Sequence, residues 1–395
     1  MGTDADRVAD AARRVVAEHD PKTVPVQEFL GACFDAGLSW VHFPEGFGGL
    51  GVSRGLQAVA DRILQGAGGP VPLGLNPMGY GMAAPTVREH AQTDDVRRQL
   101  LRPLATTEHI WCQLFSEPGA GSDLAGLATS AVLDGDTWVV NGQKVWTSLA
   151  HRARWGLLLA RTDPDAPKHK GLTYFVIDMH GEGVETRPLR QLTGHAEFNE
   201  VYMTDARIPD AFRLGAVGDG WRVAMTTLMN ERSALGGSGS RRGAGTISDA
   251  VALWTSRPDL HTPVLRDRLA ALWLRSEAQR LTAERSRAAA TTTGGPGPEA
   301  SIGKLVGAEL NQHIYEFCMD LLGPEGILYD GYGMGDGDPE DYRGPIQQRF
   351  LRSRANTIEG GTSEVMRNIL AERVLGLPGD LRADAGMAWK EIPRG

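Results

Sequence analysis

Apolar residues recur at helical spacing in the first third of the chain, alternate in the middle third, and return to helical spacing in the last. Residues 4–21 set Ala and Val against Arg and Asp with a period near 3.6, which predicts an amphipathic helix ended by Pro21. The same period predicts helices over 26–36, 56–66, 78–93 and 94–104, broken by the glycine-rich runs 46–51 and 68–75. From 112 to 215 the pattern is that of strands, at 155–160, 172–178, 184–188 and 200–203. Asp134-Gly135-Asp136 and Asn141-Gly142 read as two hairpin turns around strands at 138–140 and 144–148. Helical spacing resumes at 221–231, 247–256, 265–290, 301–322 and 344–354, and Thr362 can cap a last helix reaching about 375. The order α, β, α predicts an α+β multidomain chain. Its parts are a helical domain (1–111), a small β-barrel or sandwich (112–215) and a C-terminal helical bundle (216–395).

Composition narrows the function classes. The 395 residues are 23% charged and 41% hydrophobic, as in a globular protein, and the net charge of −8 argues against a nucleic-acid surface. Cys33, Cys112 and Cys318 are odd in number and far apart, so neither a disulfide framework nor a zinc pattern is expected. The ten histidines show no metal-ligand spacing, and no apolar run is long enough for a membrane span. The first residues are charged and lack a signal-peptide core; a cytoplasmic location is the expectation.

The chemistry-bearing stretch is residues 113–123, Gln-Leu-Phe-Ser-Glu-Pro-Gly-Ala-Gly-Ser-Asp. Pro118, Gly119 and Gly121 make a tight loop with open backbone amides, and Ser116, Ser122 and Asp123 add short polar groups. Trp146, Thr147 and Ser148 follow on a strand. An aromatic face, hydroxyls and free N–H groups suit a planar, phosphate-bearing ligand. The glycines are not a dinucleotide fingerprint: Gly119-Ala-Gly121 lacks the third glycine at its required spacing, and Gly237-Ser-Gly239 has no strand before it.

Residues 113–123, 141–148 and 357–368 together resemble the acyl-CoA dehydrogenase family, and the likeness extends from about residue 28 to 378. It implies a helical domain, a β domain and a C-terminal four-helix bundle, with FAD as cofactor, an acyl-CoA thioester as substrate and an electron-transfer flavoprotein as electron acceptor. It implies β-oxidation-type lipid metabolism. By the resemblance, Phe115, Ser116, Gly121 and Ser122 line the flavin, and Ser122 also meets the coenzyme A arm. Trp146 stacks near the isoalloxazine, Thr147 and Ser148 reach its N5 edge, and Thr362 and Glu364 meet it from the last helix. A carboxylate takes the α proton. Asn230-Glu231-Arg232 matches one family position for that base, so Glu231 is the expected base, with Glu359 the alternative. Arg232, Gly360 and Gly361 are expected near the substrate.

The chain departs from the family in one respect. The Arg-x-x-Phe-Gly segment, whose Arg grips a neighbouring subunit's flavin, is replaced by Leu-Trp-Thr-Ser-Arg-Pro-Asp-Leu-His over 253–261. The glycine motif survives in altered form at 321–326, followed by an insertion at 327–343. This resembles an actinobacterial subgroup in which two related subunits share flavin sites. The expected assembly is a heterotetramer with a paralogous subunit, or a homodimer or homotetramer with a modified grip. Alternatives in the same fold are an acyl-CoA oxidase, a flavin monooxygenase or a non-catalytic subunit. Gly236, Gly237, Gly239 and Gly243 would leave room for a bulky acyl group, or would serve close helix packing.

Overall fold

The computed structural model describes residues 3–235, 241–293, 297–329, 344–381 and 384–393, side chains excepted at 231–235 and 290–293. The chain forms two compact units. One comprises 1–189, 197–230 and 384–395; the other comprises 190–196 and 231–383.

The first unit opens with helices α1 (Asp4–Glu18), α2 (Val26–Asp35), α3 (Gln57–Gly66), the short α4 (Pro72–Leu75), α5 (Ala84–His90) and α6 (Asp94–Ala105). A single π-helical turn, Gly79–Ala83, leads into α5 where an unbroken α-helix over 78–93 was expected. Asn76 holds this region to the sheet. It is fully buried, its Nδ2 donates to the carbonyls of Leu104 and His109, and its Oδ1 accepts from the amides of Gly79 and Trp111. Four backbone groups at a helix end, a π turn and a strand start are thus satisfied by one side chain.

The middle of the chain is an eight-stranded sheet of β1 (Trp111–Leu114), β2 (Ser130–Asp134), β3 (Thr137–Ser148), β4 (Trp155–Arg161), β5 (Leu172–Asp178), β6 (Val184–Leu189), β7 (Phe198–Pro209) and β8 (Arg213–Leu214). The order is β6-β7-β3-β2-β4-β5-β8, with β1 parallel to β4. Both faces are covered. Leu157, Leu159, Tyr174 and Val176 face a core shared with Val87, Leu100 and Leu104 of the helices. Leu158, Ala160, Phe175 and Ile177 face a second core with Val140, Val201 and Ile208. A strand buried on both faces shows a continuous apolar run, as β4 does.

Only one of the two expected hairpin turns forms. Gly135 turns β2 into β3 with φ +66°. Asn141-Gly142 does not turn; β3 runs through it, and its register with β7 shifts between Val140 and Gly142. The physical reason is a bulge. Asn141 exchanges two hydrogen bonds of 2.9 Å with Asp205, and a Cβ at Gly142 would lie 2.4 Å from Thr129 Oγ1. The glycine permits close approach of Thr129, just before β2, not a reversal.

Helix α7 (Gly220–Leu235) follows. Its start packs in the first unit, where Thr227 Oγ1 lies 2.9 Å from Tyr174 Oη and 3.0 Å from Thr86 Oγ1. The second unit is helical: α8 (Thr246–Ser256), α9 (Pro263–Thr293), α10 (Ser301–Leu322), α11 (Ile346–Ser353) and α12 (Ser363–Arg373). Its core joins Ile247 and Ala250 of α8, Leu272 of α9, and Leu310, Ile314, Phe317 and Leu321 of α10. Gly236, Gly237 and Gly239 lie outside the described residues. Gly243, at φ +71°, has room for no side chain, because a Cβ there would sit 2.3 Å from the Trp273 ring; it serves packing. No described helix is long and apolar enough to cross a membrane. The described residues contain no cluster of three or more metal-ligating side chains.

Asn76→Ala should lower stability by about 3 kcal/mol, since it strands several buried backbone groups at once. Urea unfolding followed by tryptophan fluorescence measures it; a change under ~0.5 kcal/mol would contradict the role assigned to Asn76.

Candidate functional site

The loop after β1 is built on a buried ion pair. Lys144 on β3 is completely buried, and its Nζ donates to Glu117 Oε1 and to the Phe115 carbonyl, each at 2.9 Å. The Glu117 carboxylate also accepts from the amides of Ala128 (2.7 Å) and Thr129 (2.9 Å). Burial pushes Lys144 down to about 8 against the pull of Glu117. Burial would raise Glu117, but the Lys144 ammonium and the hydrogen bonds outweigh it and hold it below the ordinary carboxylate range. Both ends of the loop are thereby fixed. Glu117 and Ala120 exchange backbone hydrogen bonds around Pro118-Gly119, and the Val145 amide donates to the Ser116 carbonyl at 2.9 Å.

The tip of this loop is open. Gly119, Gly121, Ser122 and Asp123 are exposed, and a Cβ at Gly119 or Gly121 would meet nothing within 4 Å. Neither glycine has a positive φ. Fold geometry and packing therefore demand no glycine at either position; a group approaching the backbone from outside would.

Beside the loop stands Trp146. In a regular strand Lys144 and Trp146 would share a face. Trp146 instead adopts φ +60°, at a register shift between Lys144 and Thr147. The left-handed residue breaks the alternation, so Lys144 points in, Trp146 out and Thr147 in. The indole is 59% exposed and rests edge-on against Phe198, ring centroids 6.0 Å apart. A bulky residue in left-handed conformation costs of order 1–2 kcal/mol, and such strain collects at working sites.

The remaining site residues of the first unit divide by burial. Ser116 and Ser148 are half-buried. Phe115 is buried, its ring edge-on to Tyr174 at 5.8 Å, so its backbone and not its ring borders the loop. Thr147 is fully buried, with its hydroxyl lacking a hydrogen-bond partner.

In the second unit, Gly360 (φ +62°) and Gly361 (φ +97°) form the turn before α12. Thr362 caps α12 by accepting from the Val365 amide at 3.2 Å, and Glu364 is exposed in the first turn. Glu359 is engaged within the chain. Arg352 donates to both of its oxygens, at 3.1 and 2.8 Å, and Asn356 Nδ2 donates at 2.8 Å. Glu231 and Arg232 lie on α7, and their side chains are outside the described residues.

Sequence reasoning missed Lys144 and Glu117. The signal was present: Trp138, Val140 and Lys144 occupy inward positions of one strand, and a charged residue on the inward face needs a partner.

Lys144→Met should cost about 3–5 kcal/mol by leaving Glu117 buried and unpaired, whereas Lys144→Met with Glu117→Gln should recover part of that loss. Denaturant titration of the three proteins tests it. Equal stability of the single and double variants would contradict the pairing.

Residues 112–206 match the family model for the acyl-CoA dehydrogenase middle domain, and residues 218–375 match that for the C-terminal domain. The chain is 41% identical over 350 residues to acyl-CoA dehydrogenase IpdE1 of Mycobacterium tuberculosis, covering 87% of this chain and 86% of that one. It is 39% identical over 384 residues to acyl-CoA dehydrogenase FadE34 of the same organism; this covers 96% of the chain but spans only half of FadE34's length. A solved structure, the Tcur3481-Tcur3483 steroid ACAD, aligns with a TM-score of 0.72 at 28% identity over 94% of each chain. The chain therefore belongs to the acyl-CoA dehydrogenase family.

Proposed function

We propose that the chain is an FAD-dependent acyl-CoA dehydrogenase subunit that oxidises a bulky, steroid-derived acyl-CoA to its trans-2-enoyl-CoA. The observation that carries the reading is Trp146: a solvent-exposed indole held in a left-handed bulge beside a loop whose exposed glycines have no structural cause. The residues suit the cofactor. The indole offers a flat face, Gly119 and Gly121 let a pyrophosphate approach the backbone, and Ser116, Ser122 and Ser148 supply hydroxyls. FAD, when bound, supplies the acceptor for the substrate's β hydrogen.

The protein's own contribution is removal of the α proton. That proton is weakly acidic, and its transfer needs a carboxylate within reach whose charge is not already committed. Glu359 is committed to Arg352 and Asn356. This favours Glu231, in the Asn230-Glu231-Arg232 run of α7, as the base. Capping of α12 by Thr362 leaves the helix N-terminus to favour negative charge near Gly360 and Gly361.

A related second subunit completes the assembly in this reading. FadE34 is about twice as long as this chain, and the solved steroid ACAD is named for two proteins. Within this chain, Arg257, in the segment that replaces the family's flavin-gripping motif, is held by Glu325 at 2.9 Å and by Asp259 at 3.1 Å. Leu274, Ile327, Leu328, Ile358 and Leu375 are large apolar residues left exposed on the second unit. Electrons would pass on to an electron-transfer flavoprotein.

Glu231→Gln should abolish turnover of a steroid-derived acyl-CoA, by about a thousandfold or more, with FAD content unchanged, while Glu359→Gln should keep turnover within about tenfold. Steady-state assays with an artificial electron acceptor, on the chain co-expressed with its paralogue, measure both. Full activity of Glu231→Gln alongside an inactive Glu359→Gln would reverse the assignment. Rapid reoxidation of the reduced protein by air would make it an oxidase.

A further inference from the structure

Residues 384–393 rejoin the first unit, where they pack against the 164–170 loop and Gly126. The Trp389 amide donates to the Ala166 carbonyl and the Lys390 amide to the Pro164 carbonyl, each at 3.0 Å, and Lys390 pairs with Asp165. This seats the segment along the 164–170 loop between β4 and β5. From there two side-chain chains reach the loop that carries Ser122. In the first, Lys168 Nζ is held between Asp384 Oδ2 at 2.5 Å and both oxygens of Asp123 at 2.9 Å. In the second, the Trp389 ring covers the Arg161 guanidinium at 4.3 Å, and Trp389 Nε1 donates to the Gly126 carbonyl at 3.1 Å. Arg161 is itself buried, donating to the carbonyls of Ala125 (2.7 Å) and Leu127 (3.1 Å).

Every anchor falls between Asp123 and Leu127, immediately after Ser122. The Lys144–Glu117 pair fixes the start of the loop at Phe115 and Glu117, and its return at Ala128 and Thr129. The stretch between has no regular strand or α-helix, only a three-residue 3₁₀ turn at Leu124–Gly126. It is held by burial of its own Ala120, Ala125 and Leu127 in the core and by the side chains that reach its carbonyls and Asp123 from elsewhere.

We propose that segment 384–393 is a positioning strap for the Ser122–Asp123 corner of the glycine loop, with Trp389 and Asp384 as positioning residues that set affinity for the adenosine-pyrophosphate ligand contacted there. The inference rests on the reading that this loop meets FAD or coenzyme A, which share that chemistry. Trp389 stacks on Arg161, which holds the carbonyls that fix the corner.

The test uses the full chain in the assembly in which it is isolated, as wild type and as Trp389→Ala, Trp389→Phe and Asp384→Asn. Amide hydrogen exchange is read over residues 117–128, and binding is titrated with FAD on the deflavinated protein and with free coenzyme A. Trp389→Ala should speed exchange across 122–127 and weaken one of the two ligands about tenfold, with Trp389→Phe restoring most of both because its ring can still cover Arg161. Weakening of FAD alone assigns the corner to the flavin pyrophosphate; weakening of coenzyme A alone assigns it to the substrate arm. Unchanged exchange, or faster exchange with both affinities unchanged, would overturn the strap as a positioning device. Should the wild type bind neither probe, the functional reading falls, and exchange alone decides whether the segment orders the loop.

Discussion

A charge with no access to water organises this protein's glycine loop. Lys144 is enclosed on a strand that otherwise packs apolar side chains inward, and Glu117 is its counter-ion. Such a pair contributes little net stability, because desolvating both ions costs nearly what their attraction returns. Its value is geometric. An ammonium with three donors and a carboxylate with several acceptor sites gather three loop backbone groups, the carbonyl of Phe115 and the amides of Ala128 and Thr129, while the backbone amide of Val145 on the same strand holds the Ser116 carbonyl. The tip can then stay free of side chains and still have one conformation.

The same strand carries the second half of the device. Turning Lys144 inward and Trp146 outward two positions later violates strand alternation, and the left-handed backbone at Trp146 is what permits it. The brace and the exposed aromatic face are therefore coupled: the residue that anchors the loop and the residue that presents the indole are set by one bulge. A strained backbone at an exposed indole makes little sense for stability alone. It makes sense if the indole has a ligand to meet.

Much of this architecture is legible in the sequence because it is written in local periodicity. The helices α1, α3, α6, α8 and α10 and the strands β4 and β5 fall close to where apolar spacing places them. Two kinds of feature are not local. Asn141-Gly142 has the chemistry of a hairpin, but pairing with β7 on one side and the approach of Thr129 on the other keep the strand extended. Likewise Trp146 and Thr147 are neighbours on one strand, and only the bulge decides that Thr147 is buried and Trp146 exposed. The ion pair of Glu359 with Arg352 across a helix end, and the return of 384–393 to the β4–β5 loop, join residues that no sequence pattern links.

The redox reading depends on what meets the Trp146 indole. A structure of the chain with FAD bound is the most direct measurement. The isoalloxazine ring should lie against the indole at van der Waals distance, about 4 Å, with the pyrophosphate running along the backbone of Gly119 and Gly121. An indole left in solvent, with the flavin bound elsewhere, would contradict that reading.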